Sequence, residues 1–458
     1  MLKKSCLRKK VNMKTNRKQQ LKKSQSKDIK LYKYFDKKKI KQLSRETGFS
    51  ERDGKMQVCH FIEGFFRMAL RGLNTYSQWA QWIGILNRKP VSKQAVWERI
   101  TSEAAAFIKS LLQDKLSQTY NKLNKSKDKL FFVFKHVYLQ DSTTIKLPDA
   151  LSKDFPGTTI KGKKKATARI NTIYDLCNSI FIHFGLWSFT KNDQSLSDTI
   201  LAYLQEGDLV IRDLGFFVIA ILKKITSKGA YFLTRKPYGV NVYDIKTGKR
   251  LILKKLLGRK KYIDMNVIAG DKCRIECRII AIRLPEKLAE ERRRKARKDR
   301  DRRLNHSTEY YDLLGYAIFL TNVSQSVWTF QQIQEIYRLR WQIEIIFKSW
   351  KSCFHIEKLI HAQCKNKARI EFIIYAMLLY ISLFHVKFYN YFKNTIYRKT
   401  GRSLSLLKFA LFMACHFETI SIMNESTKWI EKYLIKYCLY ESRKDRVNAM
   451  ERYNKLAA

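Results

Sequence analysis

The chain has 458 residues and a formal net charge of +51, from 91 Lys+Arg against 40 Asp+Glu. Such an excess attracts a polyanion and disfavours cationic partners. DNA is the leading candidate, with RNA and a membrane surface as alternatives. The length predicts about three domains. The sequence holds no glycine-rich phosphate loop, GxSxG elbow or dinucleotide fingerprint, which argues against ATPase, hydrolase and dehydrogenase classes.

Residues 1–45 are predicted to form a basic, disordered tail. The first forty residues hold 16 Lys/Arg and only two acids, Asp28 and Asp36. This composition favours non-specific contact with phosphates. The segment also lacks the apolar core of a signal peptide.

Residues 46–130 are predicted to be helical. VCHFIEGFFRMALRGL and TYSQWAQWIGIL have amphipathic patterns, and Ser92 opens a third helix with Gln94 and Arg99 exposed. The NRKP turn between the second and third helices is typical of a helix-turn-helix, which would bind DNA. A plain helical bundle is the alternative.

Residues 131–235 are predicted to alternate strands and helices, which indicates a mixed α/β sheet. The apolar run FFVFKHVYLQDSTTIKLP reads as one strand and holds Asp141, and DLVIRDLGFF reads as another that ends at Asp213. A carboxylate at the end of a buried strand is costly unless it is paired or binds a cation. Asp141 and Asp213 are therefore candidate metal ligands, with a turn or cap residue as the alternative for each.

Between these aspartates we predict two strands, ATARINTIYDL and SIFIHFGLW, that turn at residues 177–179. A short helix capped by Asp193 would follow, and a helix and the strand AYFLTR come after Asp213. The basic segment 161–165 (Lys161, Lys163, Lys164, Lys165) is predicted to be a loop that contacts DNA backbone or is simply solvated.

Residues 236–312 are predicted to form a β-rich insertion that ends in a basic helix. Turn pairs such as Thr247-Gly248 separate short alternating runs. Residues 286–303 contain 10 Lys/Arg and 5 Asp/Glu, which indicates an exposed helix. That helix either contacts DNA or is only solvated.

Residues 313–360 hold the strand GYAIFLTNV and the helix IYRLRWQIEIIFKSWK, residues 336–351. On one continuous helix, Tyr337, Arg340, Glu344 and Lys351 fall within an arc of about 60°. The opposite face is apolar, with Ile336, Leu339, Ile343, Ile346, Phe347 and Trp350. A carboxylate on such a face can hold a divalent metal, and the cations can bind phosphate. The alternative is an amphipathic helix with a solvated polar face.

Residues 361–458 are predicted to be helical. The apolar run at residues 372–386 is shorter than the roughly 20 residues that a membrane span needs, so we predict a buried helix and no membrane partner. Nine scattered cysteines indicate reduced thiols in a cytoplasm. Cys273 and Cys277 lack further zinc ligands at suitable spacing.

The spacing Y-x2-R-x3-E-x6-K, from Tyr337 to Lys351, resembles the YREK helix of the insertion-sequence-four family of bacterial DDE transposases. The resemblance implies a ribonuclease-H-like domain in two parts, 131–235 and 313–360, separated by the insertion. It implies that Asp141, Asp213 and Glu344 are catalytic and hold two Mg²⁺ ions, for which Mn²⁺ can substitute. It also implies that Tyr337, Arg340, Lys348 and Lys351 bind DNA phosphates.

The function implied by this resemblance is metal-dependent cleavage at terminal inverted repeats, followed by strand transfer into target DNA. The partners would be double-stranded DNA and a second copy of the chain on paired DNA ends, in the bacterial cytoplasm at the nucleoid. A ribonuclease-H-like nuclease that cuts without joining is one alternative. A non-catalytic DNA-binding protein derived from a transposase is the other.

Overall fold

A computed structural model describes residues 36–50, 56–125, 129–258, 260–298, 306–423 and 427–441. The predicted basic tail lies outside these residues up to residue 35, as does the end of the charged segment 286–303. Residues 37–45, which we predicted to be disordered, instead belong to a helix, Lys37–Glu46, because Ile40 and Leu43 are buried there. The chain divides into two compact units. One comprises the described residues up to 113 together with 348–361 and 366–441, and the other comprises 114–347 and 362–365.

The α-helices of the described residues are, in chain order, α1 Lys37–Glu46, α2 Val58–Leu70, α3 Tyr76–Asn87, α4 Lys93–Glu98, α5 Ser102–Tyr120, α6 Ile219–Ser227, α7 Leu253–Leu257, α8 Glu286–Arg297, α9 Thr308–Leu313, α10 Phe330–Arg338, α11 Trp341–Ser352, α12 Lys367–Leu383, α13 Asn390–Thr400, α14 Leu406–Met423 and α15 Thr427–Tyr437. The strands are β1 Val137–Leu147, β2 Pro156–Ile160, β3 Lys163–Asp175, β4 Ile180–Ser188, β5 Leu209–Arg212, β6 Tyr231–Arg235, β7 Val242–Asp244, β8 Tyr262–Ala269, β9 Ile275–Arg283 and β10 Tyr316–Thr321.

The first unit confirms the predicted helical N-terminal region, with one correction. The helix that we expected after Ser92 is two helices, α4 and α5, and the Ser92 hydroxyl caps α4 by accepting from the Ala95 N–H at 3.1 Å. Gln94 is exposed as predicted. Arg99 is not exposed, because its guanidinium lies 5.0 Å over the Phe49 ring and is partly buried.

Aromatic packing holds the first unit together. Phe61 and Trp79 lie 4.5 Å apart by ring centroids, and each contacts Phe372 of α12. The helical run Lys367–Thr400 is long and apolar enough to cross a membrane, but 83% of its most apolar window is buried inside the protein. This burial is that of a core helix, as predicted for residues 372–386, although the helical run is longer than we expected.

The second unit is built on a ten-stranded mixed sheet, in the order β2-β3-β1-β5-β6-β10-β9-β8-β7, with β4 paired to β3. Within it β1 runs antiparallel to β3 and parallel to β5, and β5 runs parallel to β6. The strands β4, β3, β1, β5 and β6 thus lie side by side, with antiparallel pairing followed by parallel pairing. This arrangement confirms the predicted ribonuclease-H-like mixed sheet.

Local predictions in this region were wrong in three details. The strand expected from residue 131 begins only at Val137, and Phe131 and Phe134 instead turn and pack against the Trp328 ring. The basic segment 161–165 is not a loop but the tip and first residues of the β2–β3 hairpin. The short helix expected after Asp193 is a 3₁₀-helix, Ser197–Ala202, and Asp193 does not cap it, because its carboxylate is held by other partners that are described below.

The strands of the predicted insertion prolong the main sheet. β9 pairs with β10, which pairs with β6, so β7, β8 and β9 continue the ribonuclease-H-like strands. A buried ion pair joins β8 to β9, where two guanidinium nitrogens of Arg278 each lie 2.6 Å from a carboxylate oxygen of Asp264. Arg278 also donates to the carbonyl oxygens of Val323 and Trp328. This side chain therefore ties the insertion to the segment that precedes α10.

Asp264→Asn is expected to lower the free energy of unfolding by about 3 kcal/mol, because it leaves the Arg278 charge buried without its counter-ion. Urea unfolding followed by circular dichroism measures this loss. The matched control is Glu291→Gln, which removes an exposed pair with Lys295 on α8 and should leave stability nearly unchanged. Equal effects of the two variants would contradict the prediction.

Candidate active site

The strand pairing brings Asp141 and Asp213 to one end of the sheet. Leu139 of β1 is in register with Ile211 of β5, and each aspartate lies two residues further along its strand. Because side chains alternate along a strand, the two carboxylates lie on the same face. Asp141 sits within β1, and Asp213 is the first residue after β5.

Glu344 comes from α11, in a helical region that differs from our prediction. The single helix expected over 336–351 is interrupted, since α10 ends at Arg338 and α11 begins at Trp341. Between them the Leu339 N–H donates to the Ile336 carbonyl at 2.9 Å and the Arg340 N–H donates to the Tyr337 carbonyl at 3.1 Å. These bonds span three residues, so the chain turns more tightly here than in an α-helix. The predicted apolar face is confirmed as buried, for Ile336, Leu339, Ile343, Ile346, Phe347 and Trp350.

Arg340 contacts all three candidate carboxylates. Its guanidinium nitrogens lie 3.1 Å from Asp141, 3.6 Å from Asp213 and 2.6 Å from Glu344. The Tyr337 hydroxyl donates to Asp213 at 3.4 Å, and its ring packs 5.2 Å from the Phe319 ring. Tyr337 and Arg340 are each 7% exposed, so neither lies on a solvated helix face, which was the alternative to the proposed site.

The three carboxylates differ in their environments. The Asp141 side chain is 14% exposed, whereas Asp213 and Glu344 are 40% and 38% exposed. Burial raises the pKa of Asp141 to about 7, although Arg340 and the Ser142 N–H oppose this rise. Asp213 and Asp193 add to it by charge repulsion. Asp141 is thus the carboxylate whose charge most needs a cation nearby.

The donor set suits a divalent cation of the Mg²⁺ type, because all three side chains offer hard carboxylate oxygens. Among the described residues, no group of three His, Cys, Asp or Glu side chains is gathered closely enough to form a metal site. Arg340 lies among the oxygens of Asp141, Asp213 and Glu344 instead. A cation would therefore compete with this guanidinium for the same oxygens.

The two predicted DNA-binding lysines lie further along α11. Lys348 is exposed, one helical turn after Glu344. The Lys351 ammonium lies 3.8 Å from a carboxylate oxygen of Glu357. Both lysines belong to the first compact unit. The second unit holds the other candidate site residues, namely Asp141, Asp213, Tyr337, Arg340 and Glu344.

Sequence reasoning missed the residues beside the two aspartates. Gln140 and Arg212 are buried, and the Arg212 Nε–H donates to the Gln140 side-chain oxygen at 3.1 Å. The sequence did hold a signal for Arg212, because this arginine directly follows the apolar run Leu-Val-Ile of a buried strand. A charge at such a position needs a buried hydrogen-bonding partner. Asp193 and Arg169 form an ion pair at 2.6 Å next to Asp141. No pattern in the sequence separates Asp193 from ordinary turn residues.

Arg235 was also missed. It lies two residues after Leu233, which is in register with Ile211, so Asp213 and Arg235 occupy equivalent positions at the ends of β5 and β6. Its antiparallel neighbour on β10 is Phe319, whose ring packs against Tyr337. Arg235 therefore places a positive charge beside the carboxylate cluster.

The buried Asp141 predicts a specific pH dependence of stability. Since its folded pKa is raised from 3.8 to about 7, its contribution to stability is present below about pH 4 and is lost as the pH rises through 7. In EDTA, the unfolding free energy of the natural protein should fall relative to Asp141→Asn between pH 4 and 8, by at most about 4 kcal/mol. Asp149→Asn, which changes an exposed residue, serves as the control. The difference in unfolding free energy between the natural protein and this variant should stay constant over the same pH range. A constant difference for Asp141→Asn as well would refute the prediction.

Comparison with known proteins supports a specific family. Residues 134–381 match the family described as "Transposase DDE domain". The chain is 27% identical over 369 residues to the transposase for insertion sequence element IS231F of Bacillus thuringiensis subsp. israelensis, covering 76% of each chain. It is 27% identical over 346 residues to the transposase for insertion sequence element IS1151 of Clostridium perfringens, covering 71% of this chain and 73% of that one.

Among solved structures, a piggyBac transposase synaptic complex with hairpin DNA is similar with a TM-score of 0.41 and 9% identity. The alignment covers 91% of this chain and 80% of that one. The sequence match over residues 134–381 spans more than half of the chain and includes β1, β5 and α11. The chain therefore belongs to the transposase DDE domain family, and the resemblance to insertion-sequence transposases is confirmed.

Proposed function

We propose that this protein is the transposase of a bacterial insertion sequence, and that it cleaves DNA at the ends of its element and joins them to target DNA. The observation that carries the proposal is the convergence of Asp141, Asp213 and Glu344 on Arg340, from two strands and a helix far apart in the sequence. A protein that only bound DNA would have no use for three carboxylates around one guanidinium. The net charge of +51 supports a polyanionic substrate.

We assign the catalytic role to Asp141, Asp213 and Glu344, which would hold two Mg²⁺ ions, or Mn²⁺ in their place. Bound divalent cations supply activation of the attacking hydroxyl and stabilisation of the leaving oxygen at a phosphodiester. In each step the attacking oxygen forms a bond to phosphorus while the bond to the leaving 3′ oxygen breaks. First a water and then the released DNA 3′-hydroxyl would attack, without a covalent protein intermediate.

The residues around the carboxylates would position DNA. Tyr337 and Arg340 lie at the carboxylates and carry donor groups that suit phosphate oxygens. Lys348 and Lys351 would bind the backbone further along α11. The substrates in this proposal are the terminal inverted repeats and the target DNA. A second copy of the chain would bind the paired end, in the bacterial cytoplasm at the nucleoid.

Glu344→Gln is expected to abolish cleavage while DNA binding persists. The change removes one carboxylate charge but keeps the shape, so we expect the rate to fall at least a hundredfold, or about 3 kcal/mol. The assay uses a labelled duplex that contains a terminal repeat of the element and its flanking DNA, with Mg²⁺, and resolves nicked and joined strands on a sequencing gel. Gel retardation of the same duplex measures binding.

The matched control is Glu290→Gln on α8, whose carboxylate pairs with Arg293 at the surface and which should cleave normally. Cleavage without any joined product would favour a nuclease that does not transfer strands. Binding without cleavage in Mg²⁺ or Mn²⁺ by the natural protein would favour a non-catalytic DNA-binding protein, and the proposal would then be abandoned.

Lys348→Ala is expected to weaken DNA binding to a similar degree for every duplex sequence, because a phosphate contact carries no base information. The slope of log affinity against log salt should decrease by about one. Filter binding at several salt concentrations measures it. Lys432→Ala, an exposed lysine of α15, is the comparison. An unchanged slope for Lys348→Ala would remove this residue from the proposed DNA contacts.

A further inference from the structure

The segment 193–197, hereafter the bridging segment, contacts residues on both sides of Asp141. The Ser142 hydroxyl donates to the Asp193 carboxylate at 2.5 Å. The Gln140 side-chain amide donates to the Leu196 carbonyl oxygen at 3.0 Å. The two chain neighbours of Asp141 are thus held by a single short segment.

The same segment contacts residues on both sides of Asp213. Before it, the Arg212 guanidinium donates to the Ser197 carbonyl oxygen. After it, the Ser197 hydroxyl donates to the Phe216 carbonyl oxygen at 2.8 Å. A Cβ atom at Gly215 would lie only 3.0 Å from a carboxylate oxygen of Asp193. The Asp193 side chain therefore packs closely against the turn that follows Asp213.

Two buried cations anchor these contacts. Arg169 of β3 is 9% exposed and donates to Asp193 at 2.6 Å and to the Ser142 hydroxyl at 2.8 Å. Arg212 is 1% exposed and donates to the Gln140 side-chain oxygen at 2.5 Å. Hydrogen bonds to charged groups are short and strong, and a buried cation is costly without a partner. The bridging segment is therefore fixed to β1, β3 and β5 together.

One further contact links the segment to the Asp141 carboxylate. The Ser142 N–H donates to an Asp141 carboxylate oxygen at 2.8 Å. A shift of Ser142 would therefore turn or move that carboxylate. Functional groups must be held within about 0.5 Å of the productive geometry, so such a restraint matters for cation binding.

We propose that Asp193 is a positioning residue that acts with Arg169, through Ser142, to hold the Asp141 carboxylate in a position that suits a divalent cation. The inference rests on the proposed function, since it concerns the same cations. Asp193 itself does not bind the cation in this account, because one of its carboxylate oxygens accepts from both Ser142 and Arg169 and the other lies against Gly215. If Asp193 only stabilised the fold, its replacement would lower stability but leave the cation affinity of the folded protein unchanged.

The test is Mn²⁺ binding by the full chain without DNA, followed by the electron paramagnetic resonance signal of free Mn²⁺. Asp193→Asn keeps the shape of the side chain but removes the charge that Arg169 binds. We expect its Mn²⁺ affinity to fall 10- to 100-fold, as is typical when a residue that orients a ligand is changed. Asp149→Asn is the matched control, because it removes an exposed ion pair with Lys165 and should bind Mn²⁺ normally.

A second variant tests the route through Ser142. Ser142→Ala removes the hydroxyl but leaves the ion pair of Asp193 and Arg169 in place, so it should fold even where Asp193→Asn does not. We expect a loss of Mn²⁺ affinity of about 3- to 10-fold, and in the double variant a combined loss smaller than the product of the single losses. Thermal unfolding of each variant shows whether it is folded.

The outcomes separate the inference from the function on which it rests. Unchanged Mn²⁺ affinity in folded Asp193→Asn and Ser142→Ala, with normal binding by the natural protein, overturns the positioning role alone. Absence of Mn²⁺ binding by the natural protein overturns the metal chemistry and the inference with it. Weaker binding in both variants, with less than multiplicative losses, supports the inference.

Discussion

The contact of Arg340 with three carboxylates is the interaction on which the rest of the site depends. Asp141, Asp213 and Glu344 come from separate elements, and three such charges repel one another where water is partly excluded. One guanidinium within 3.6 Å of all of them offsets part of that repulsion. The parallel pairing of β1 with β5 fixes the positions of Asp141 and Asp213. The turn before α11 fixes the positions of Arg340 and Glu344.

The tight turn at residues 339–340 explains why Arg340 can serve this role. On one regular helix Tyr337 and Arg340 would share the polar face with Glu344 and Lys351. The turn instead leaves both side chains buried beside Asp141 and Asp213. The interruption thus separates Tyr337 and Arg340, which are buried at the carboxylates, from Lys348, which is exposed.

The sequence predicted the parts of this arrangement that depend on local pattern. Alternation identified the strands of Asp141 and Asp213, and helical periodicity identified the buried face around Ile343. It missed the interruption of the helix, because a single turn with i to i+3 hydrogen bonds has nearly the same spacing of apolar residues as a turn of α-helix with i to i+4 bonds. It also missed the pairing of β9 with β10 and the contacts of Asp193, because they join residues far apart in the chain.

The charge of the site and the charge of the chain have opposite signs, and this has a consequence for the proposed function. When Asp141 is ionised, the three carboxylates outnumber the nearby cations Arg340 and Arg235, and the remaining negative charge would oppose a DNA phosphate despite the overall +51. Divalent cations at these oxygens would remove that repulsion, and they would also release Arg340 from the carboxylates it now contacts. A released guanidinium at this site is well suited to a phosphate. Cation binding and phosphate binding should therefore favour each other at this site, since each removes the charge that opposes the other.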